Sequence, residues 1–388
     1  MEKWFKILLW VRILKRGGGG SVCPVGLQMR QRGGTNQKAT MVTMVRRPPR
    51  ELLRRKQHAT ASQINRRCRI AVVVRSSSSA SQQRDRPLEA FASGFDARPF
   101  QSEGGVRLET LRRDAATTSS SSPNPPPTLV FLHGSYHASW CFAENFFGYF
   151  AERGYDCAAM SFVGQGLSSL PPPDKEPARV AGTLESHARD VRDFLRNGLP
   201  SGPKIVVAHS FGGLVLQKAI SLSPPMDDVR GIALLCSVPP TGNSAMVGRF
   251  LRRTPIAAIK LSYAFIARTF ERDLASCVEF FLSPALTEGD ARRYQELIAV
   301  SCRLPLLDLR ALPESLPVDI PKNPPPCLVL GSRADKVVDV DAIDETAAAF
   351  GAAAQKRVLS RIGHDCMLDA GWEEVAQELH GFAQGVLR

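Results

Sequence analysis

From residue 128 onward the chain alternates short β-branched runs with helical stretches of about a dozen residues, an order that few folds accommodate. The runs "TLVFLHG", "YDCAAMSF", "KIVVAHS", "VRGIALLCSV", "PCLVLGS" and "KRVLSRI" read as strands, and the segments between them as helices. Strand–helix–strand repeats connect right-handedly, so this order implies a mostly parallel sheet covered by helices on both faces. Ahead of it, "FDARPF" and "VRLETLRR" flank Gly104-Gly105 and predict one antiparallel hairpin. Residues 115–127, rich in Ser and Pro, read as a flexible loop. A long helical stretch at about 241–318 follows the sixth strand as an insertion, or cap.

The net charge of +13 suggests a nucleic-acid binder until it is divided by position. Residues 1–90 hold 20 Lys and Arg against 4 Asp and Glu, and the remainder holds 30 against 33. The body, 91–388, is therefore near neutral. The basic quarter is rich in Arg, Ser and Gly, lacks a sustained apolar period, and has the composition of a cleavable, disordered organelle-targeting segment. The expected partner of that segment is an organelle import machinery. The expected destination is the chloroplast, with mitochondrion or cytoplasm as alternatives. Nucleic acid is not an expected partner, because aromatics are not interleaved with the basic residues. "WFKILLWVRILKR" is interrupted by Lys6 and Arg12 and is too short to span a bilayer, so no transmembrane segment is expected; peripheral membrane contact stays open. Nine cysteines without a CxxC pair read as buried thiols rather than a disulfide framework or a zinc site.

In a parallel sheet, functional residues gather at the carboxyl ends of the strands. There "VVAHSFGG" places Ser210 directly after an apolar run and before a helix, with Gly212 and Gly213 behind it. A nucleophile raised on a tight strand-to-helix turn needs small neighbours; the usual pattern is G-x-S-x-G, and Ala208 takes its first position. A helix-capping serine is the bland alternative. A serine nucleophile needs a base, and the base an orienting acid, each presented at a strand end. His364, in "RIGHDCML", lies after Ser210 at a strand end, whereas His380 falls in the closing helix. Asp335, in "LVLGSRADKVV", is the expected acid; Asp339, Asp341 and Asp344 compete but run into the next helix. Oxyanion donors are expected at the backbone N–H groups of Phe211 and Ser135, the latter in the loop "HGSYHASW". Gly134, His137 and Trp140 of that loop are candidate substrate contacts, and His137 could equally brace the loop.

These stretches together resemble the α/β-hydrolase fold family over about 95–387. The loop "HGSYHASW" is similar to the H-G-x-x-H-x-x-W signature of plant methylesterases and related serine esterases. "CSVPPTGNS" and "RLPLLDLRALPESLPV" resemble plastid-targeted plant α/β-hydrolases of uncharacterised substrate. In "YDCAAMSFVGQGLSS", Ser161 and Val163 replace the charged residues of the family's usual D-x-R-G-x-G-x-S. The resemblance implies the α/β-hydrolase fold and acyl-transfer chemistry. Ser210 disfavours the dehalogenases and epoxide hydrolases of the fold, which use an Asp nucleophile. Gly134 and Asp365 stand where hydroxynitrile lyases usually carry Thr and Lys, which disfavours cyanohydrin cleavage.

The expected function is hydrolysis of a small carboxylic ester or thioester, lipophilic or lipid-derived, through an acyl-enzyme on Ser210. That chemistry requires neither metal nor organic cofactor. The alternatives are a non-catalytic, receptor-like binder, and an acyltransferase or perhydrolase using the same serine. The cap's apolar residues Met246, Phe250, Ile256, Ile259, Phe265, Phe270, Phe280 and Phe281 are expected either to line the substrate pocket or to fill the cap's own core.

Overall fold

The computed structural model describes residues 77–116, 126–172 and 178–386. The targeting segment expected at 1–90 lies outside this range except for its last residues. Much of the Ser/Pro loop expected at 115–127 does too.

An eight-stranded sheet has the order β1-β4-β6-β5-β7-β8-β9-β10. Its strands are β1 (Asp96–Ala97), β4 (Thr110–Arg113), β5 (Thr128–Leu132), β6 (Cys157–Met160), β7 (Lys204–His209), β8 (Val229–Leu235), β9 (Cys327–Ser332) and β10 (Ala354–Leu359). Only the β1–β4 and β4–β6 pairs are antiparallel. β2 (Phe100–Gln101) and β3 (Arg107–Leu108) form a separate antiparallel pair. The single hairpin expected around Gly104-Gly105 is thus divided, its outer strands joining the main sheet and its inner strands standing apart.

The central strands β5 to β9 are buried on both faces, as continuous apolar runs require, while β1 and β10 at the edges are largely exposed. Leu129, Phe131, Ile205, Val207, Leu328 and Leu330 enter one core and Val130, Leu132, Val206, Ala208 and Val329 the other. Successive residues of each strand alternate between the two cores because side chains alternate across a strand. β5 lies between β6 and β7, so chain direction across the sheet reverses there. The loops after β5 and β7 therefore open onto the crevice where sheets of this kind place their ligands.

Two departures from expectation concern helices. The segment after β5 forms two short helices, α2 (Trp140–Ala143) and α3 (Phe146–Ala151), rather than one. The folded body also begins earlier than residue 91. Helix α1 (Ser77–Ala92) crosses that boundary, with Leu88 and Ala92 buried in the core and the Phe91 ring edge-on to Trp140 at 6.3 Å. Its Arg84 Nη2 donates to the Cys302 carbonyl at 3.1 Å. With serines, Gln, Arg and Pro87 among its residues, α1 has little amphipathic period, and its burial comes from a few apolar residues near its end.

α4 (Leu184–Asp193) precedes β7; after β7 comes α5 (Ser210–Ser221), and after β8 come the cap helices α6 (Ser244–Arg253), α7 (Pro255–Ala267), α8 (Leu274–Phe281) and α9 (Glu288–Ser301). α10 (Val340–Phe350) and α11 (Trp372–Val386) complete the chain. The cap follows β8, the sixth strand of the main sheet in chain order. Its Met246, Phe270, Phe280 and Phe281 are buried and Phe250 and Phe265 partly so, but Ile256 and Ile259 face solvent and line nothing. The seven described cysteines are all buried free thiols.

If α1 is part of the folded body, truncating its most buried side chain must weaken the whole domain. Leu88→Ala is expected to lower the unfolding free energy by about 2–4 kcal/mol in a urea titration. A segment lying loosely on the surface would give a change near zero.

Candidate active site

Ser210 is the first residue of α5, and its backbone sits at φ 53° in the left-handed region that residues with a Cβ avoid. This turn reverses the chain from β7 into α5 within one residue. The close approach behind it leaves no room for larger groups. A Cβ on Gly212 would lie 2.2 Å from the His133 carbonyl oxygen, and one on Gly134 would lie 2.8 Å from both Ser210 Cβ and His209 Nδ1. The glycine in "HSFG" and the glycine in "HGS" are thus two sides of one contact, between the turn after β7 and the loop after β5.

The structure brings the three expected side chains together. His364 Nε2 is 3.1 Å from Ser210 Oγ, and His364 Nδ1 is 2.9 Å from Asp335 Oδ2. All three are buried, with Ser210 5% exposed. The other carboxylate oxygen of Asp335 accepts from the backbone N–H groups of Val337 and Val338 at 2.7 and 3.0 Å. These two bonds fix the rotamer and leave Oδ2 for the imidazole. Burial alone would lower the pKa of His364, but the adjacent Asp335 carboxylate outweighs it, with Asp365 adding to the effect, and holds the ring above the usual imidazole range. The competing acids are engaged elsewhere. Asp339 caps α10 and pairs with Arg249, Asp341 pairs with Arg253, and Asp344 with Lys356.

Of the expected oxyanion donors, Phe211 follows Ser210 in α5 and Ser135 follows Gly134, which packs against Ser210. The Gly134 carbonyl is bound by His133 Nδ1 at 2.7 Å, while His133 Nε2 accepts from the Phe162 N–H at 3.0 Å. This pairing demands a neutral ring, and burial depresses the His133 pKa to about 3. Because a trans peptide points its C=O and N–H in opposite directions, pinning the Gly134 oxygen to His133 aims the Ser135 N–H the other way. Among the described residues neither the Ser135 nor the Phe211 N–H has a hydrogen-bond acceptor. Phe211 also lies in the first turn of α5, where unpaired N–H groups and the helix dipole favour negative charge.

His137 and Trp140, expected as candidate substrate contacts, are fully buried and serve as braces instead. Trp140 Nε1 donates to Ser301 Oγ at 2.8 Å, tying the loop to α9. His137 places Nδ1 2.9 Å from the Ser135 carbonyl and Nε2 2.8 Å from Asp365 Oδ2. Both ring nitrogens face oxygen acceptors. Burial would raise the Asp365 pKa, but His137 outweighs it and holds the carboxyl below its ordinary value. Asp365 follows His364 directly, so the His137–Asp365 pair links the loop after β5 to the loop that carries His364. His209 adds a second link. Neutral because burial lowers its pKa to about 3, it donates from Nε2 to the His364 carbonyl at 2.9 Å.

His209 and Asp365 are the residues that motif reading missed, though each is the immediate neighbour of a residue it named. Cys236 is a third. At φ 45°, just after β8, its thiol shares a buried cluster with Asp335 and His364.

A family model described as the alpha/beta hydrolase family matches residues 129–378. The chain is 29% identical over 130 residues to "Probable esterase PIR7A" of Oryza sativa subsp. indica, covering 32% of this chain and 45% of that protein. It is 28% identical over 165 residues to "Epoxide hydrolase 1" of Caenorhabditis elegans, covering 42% and 35%. The chain thus spans less than half the length of either relative. The crystal structure of esterase RhEst1 from Rhodococcus sp. ECU1013 superposes with a TM-score of 0.52 at 19% identity, covering 75% of this chain and 99% of that one, a likeness of fold.

The buried link predicts a stability effect. In Asp365→Asn, the bond from His137 Nε2 loses its charged acceptor, and losing a buried hydrogen bond to a charged group costs about 1.5–3 kcal/mol. Because the Asp365 pKa is depressed in the folded state, the pair's contribution is present above the carboxyl's unfolded value and fades as pH falls through its folded value. The variant's deficit in thermal or urea unfolding is therefore expected to be largest near neutrality and to shrink in acid.

Proposed function

Because the chain belongs to the α/β-hydrolase family, with Ser210, His364 and Asp335 in hydrogen-bonded sequence, we propose that it is a carboxylic ester hydrolase working through an acyl-enzyme on Ser210. The observation that carries this reading is the 3.1 Å approach of His364 Nε2 to Ser210 Oγ beside two backbone N–H groups without acceptors. His364 takes the serine proton as Oγ attacks the ester or thioester carbonyl carbon. The oxygen of that carbonyl becomes the oxyanion, facing the Phe211 and Ser135 N–H groups. As the intermediate collapses, His364 protonates the departing alcohol or thiol. It then takes a proton from the water that releases the acid. Asp335 holds the ring with Nδ1–H toward itself and stabilises the imidazolium formed at each proton transfer.

The substrate in this reading is small and lipophilic, since the walls nearest the triad are aromatic. Phe281 lies 6.4 Å from the His364 ring, and Phe265 lies 5.5 Å from Phe281. The likeness to an epoxide hydrolase does not favour epoxide opening here, because the elbow carries Ser210 in place of a carboxylate. The receptor-like alternative keeps the same pocket without turnover. The acyltransferase or perhydrolase alternative differs only in the acceptor that meets the acyl-enzyme.

Labelling with a fluorophosphonate, read by peptide mass spectrometry, is expected to modify Ser210 and to fail in Ser210→Ala. Turnover of p-nitrophenyl esters should fall with acid in a single step above the ordinary imidazole value of about 6.5, because the protonated ring cannot accept the serine proton. In Asp335→Asn that step should move to lower pH and the rate should drop sharply. A protein that takes up the label once and never turns over would instead be a binder.

We further propose that the basic N-terminal segment directs import into the plastid. Its acid-poor, Arg- and Ser-rich composition supports this reading. A fluorescent fusion of the whole chain is expected in plastids, and one lacking residues 1–76 in the cytosol.

A further inference from the structure

Helix α7 (Pro255–Ala267) presents large apolar side chains to solvent. Ile256 is 83% exposed, and Ile259, Tyr263 and Ile266 are each at least 40% exposed. Their spacing of three, four and three residues puts them on one face of the helix, opposite Ala258 and Ala264, which are buried against the cap. A soluble surface scatters single apolar residues, but a continuous stripe of them marks an interaction face.

We propose that this face of α7 docks onto an anionic lipid bilayer, lying in the interface with its isoleucines inserted among the acyl chains. Three observations favour this occupant. Residues 244–268 contain five Lys and Arg and no Asp or Glu. Of these, Arg252 has no ion-pair partner among the described residues, Arg253 and Lys260 are more than half exposed and pair with Asp341 and Glu279, and Arg249 and Arg268 pair with Asp339 and Glu271. An apolar helix face flanked by basic side chains suits a bilayer surface. The stripe exposes roughly 400 Å², about half of what each partner contributes to a standard stable protein interface, so a second copy gains little there. The chain's own N-terminal segment is an unsuitable cover as well, since residues 1–76 carry 18 Lys and Arg against 2 Asp and Glu and would meet a basic surface.

The docking face is also connected to the site. The Tyr136 hydroxyl, from the loop that carries Ser135, donates to the Phe265 carbonyl of α7 at 3.2 Å, and the Tyr136 ring packs against Phe265 and Phe270. A bilayer held on α7 would thus lie over the cap that covers Ser210. The inference itself does not depend on what Ser210 catalyses.

The test uses the full chain and vesicles of phosphatidylglycerol and phosphatidylcholine, in salt of about 1 M to screen the basic N-terminal segment. The wild type is expected to sediment with the vesicles, and Ile256→Glu/Ile266→Glu to bind about tenfold or more weakly with an unchanged thermal melt. Hydrogen exchange in peptides covering 255–267 should slow only when vesicles are present. Equal binding of wild type and variant, or unaltered exchange in that helix, would overturn the proposal in favour of the basic segment alone. Concentration-dependent protection of the helix without lipid would overturn it in favour of a second copy.

Discussion

The left-handed turn at Ser210 is the constraint to which the rest of the site is fitted. A serine held at positive φ is strained, and it persists because the surrounding structure permits no alternative. The strand before it is buried on both faces, and the helix after it meets the His133 carbonyl at a distance only a glycine allows. The neighbouring loop is fixed in the same way: the Gly134 carbonyl is taken by His133 and the Ser135 carbonyl by His137, so the Gly134–Ser135 peptide turns its N–H away from His133. Two buried histidines orient backbone here, and a third, His209, holds the base's carbonyl. None of the three is near the reacting atoms by virtue of its own reactivity.

Much of this was legible in the sequence because it depends on local pattern. Continuous apolar runs bounded by helices can only become buried parallel strands, and the carboxyl ends of those strands pick out Ser210, Asp335 and His364 once their order is noticed. What stayed illegible depends on contacts between distant segments. Nothing in "HGSYHASW" says that His137 turns inward to a carboxylate 228 residues away instead of outward to a substrate. Asp365 was visible only as a departure from another enzyme's lysine. Helix α1 was lost because its composition matches that of the segment before it, and its apolar anchors are only Leu88, Phe91 and Ala92. Ile256 and Ile259 looked like core by residue type; their helix has apolar residues all round, so sequence could not say which face is covered.

The His137–Asp365 pair and the Tyr136–Phe265 bond have one property in common. Each joins the loop after β5 to an element that arrives much later in the chain. The Asp365 N–H itself donates to the Phe281 carbonyl at 2.7 Å, at the end of cap helix α8. The His364 loop, the loop after β5 and the cap are therefore one hydrogen-bonded unit, laid across the strand ends.

That shared anchoring limits how such a protein can diversify. If the insertion between β8 and β9 were an independent module, it could be exchanged wholesale for another of different length, and new specificities would follow cheaply. Here its backbone carbonyls at positions 265 and 281 are struts for the loops that carry Ser135 and His364, so a transplanted lid would unseat the very loops it was meant to cover. Descendants of this chain would have to change their diet by swapping side chains on an inherited frame.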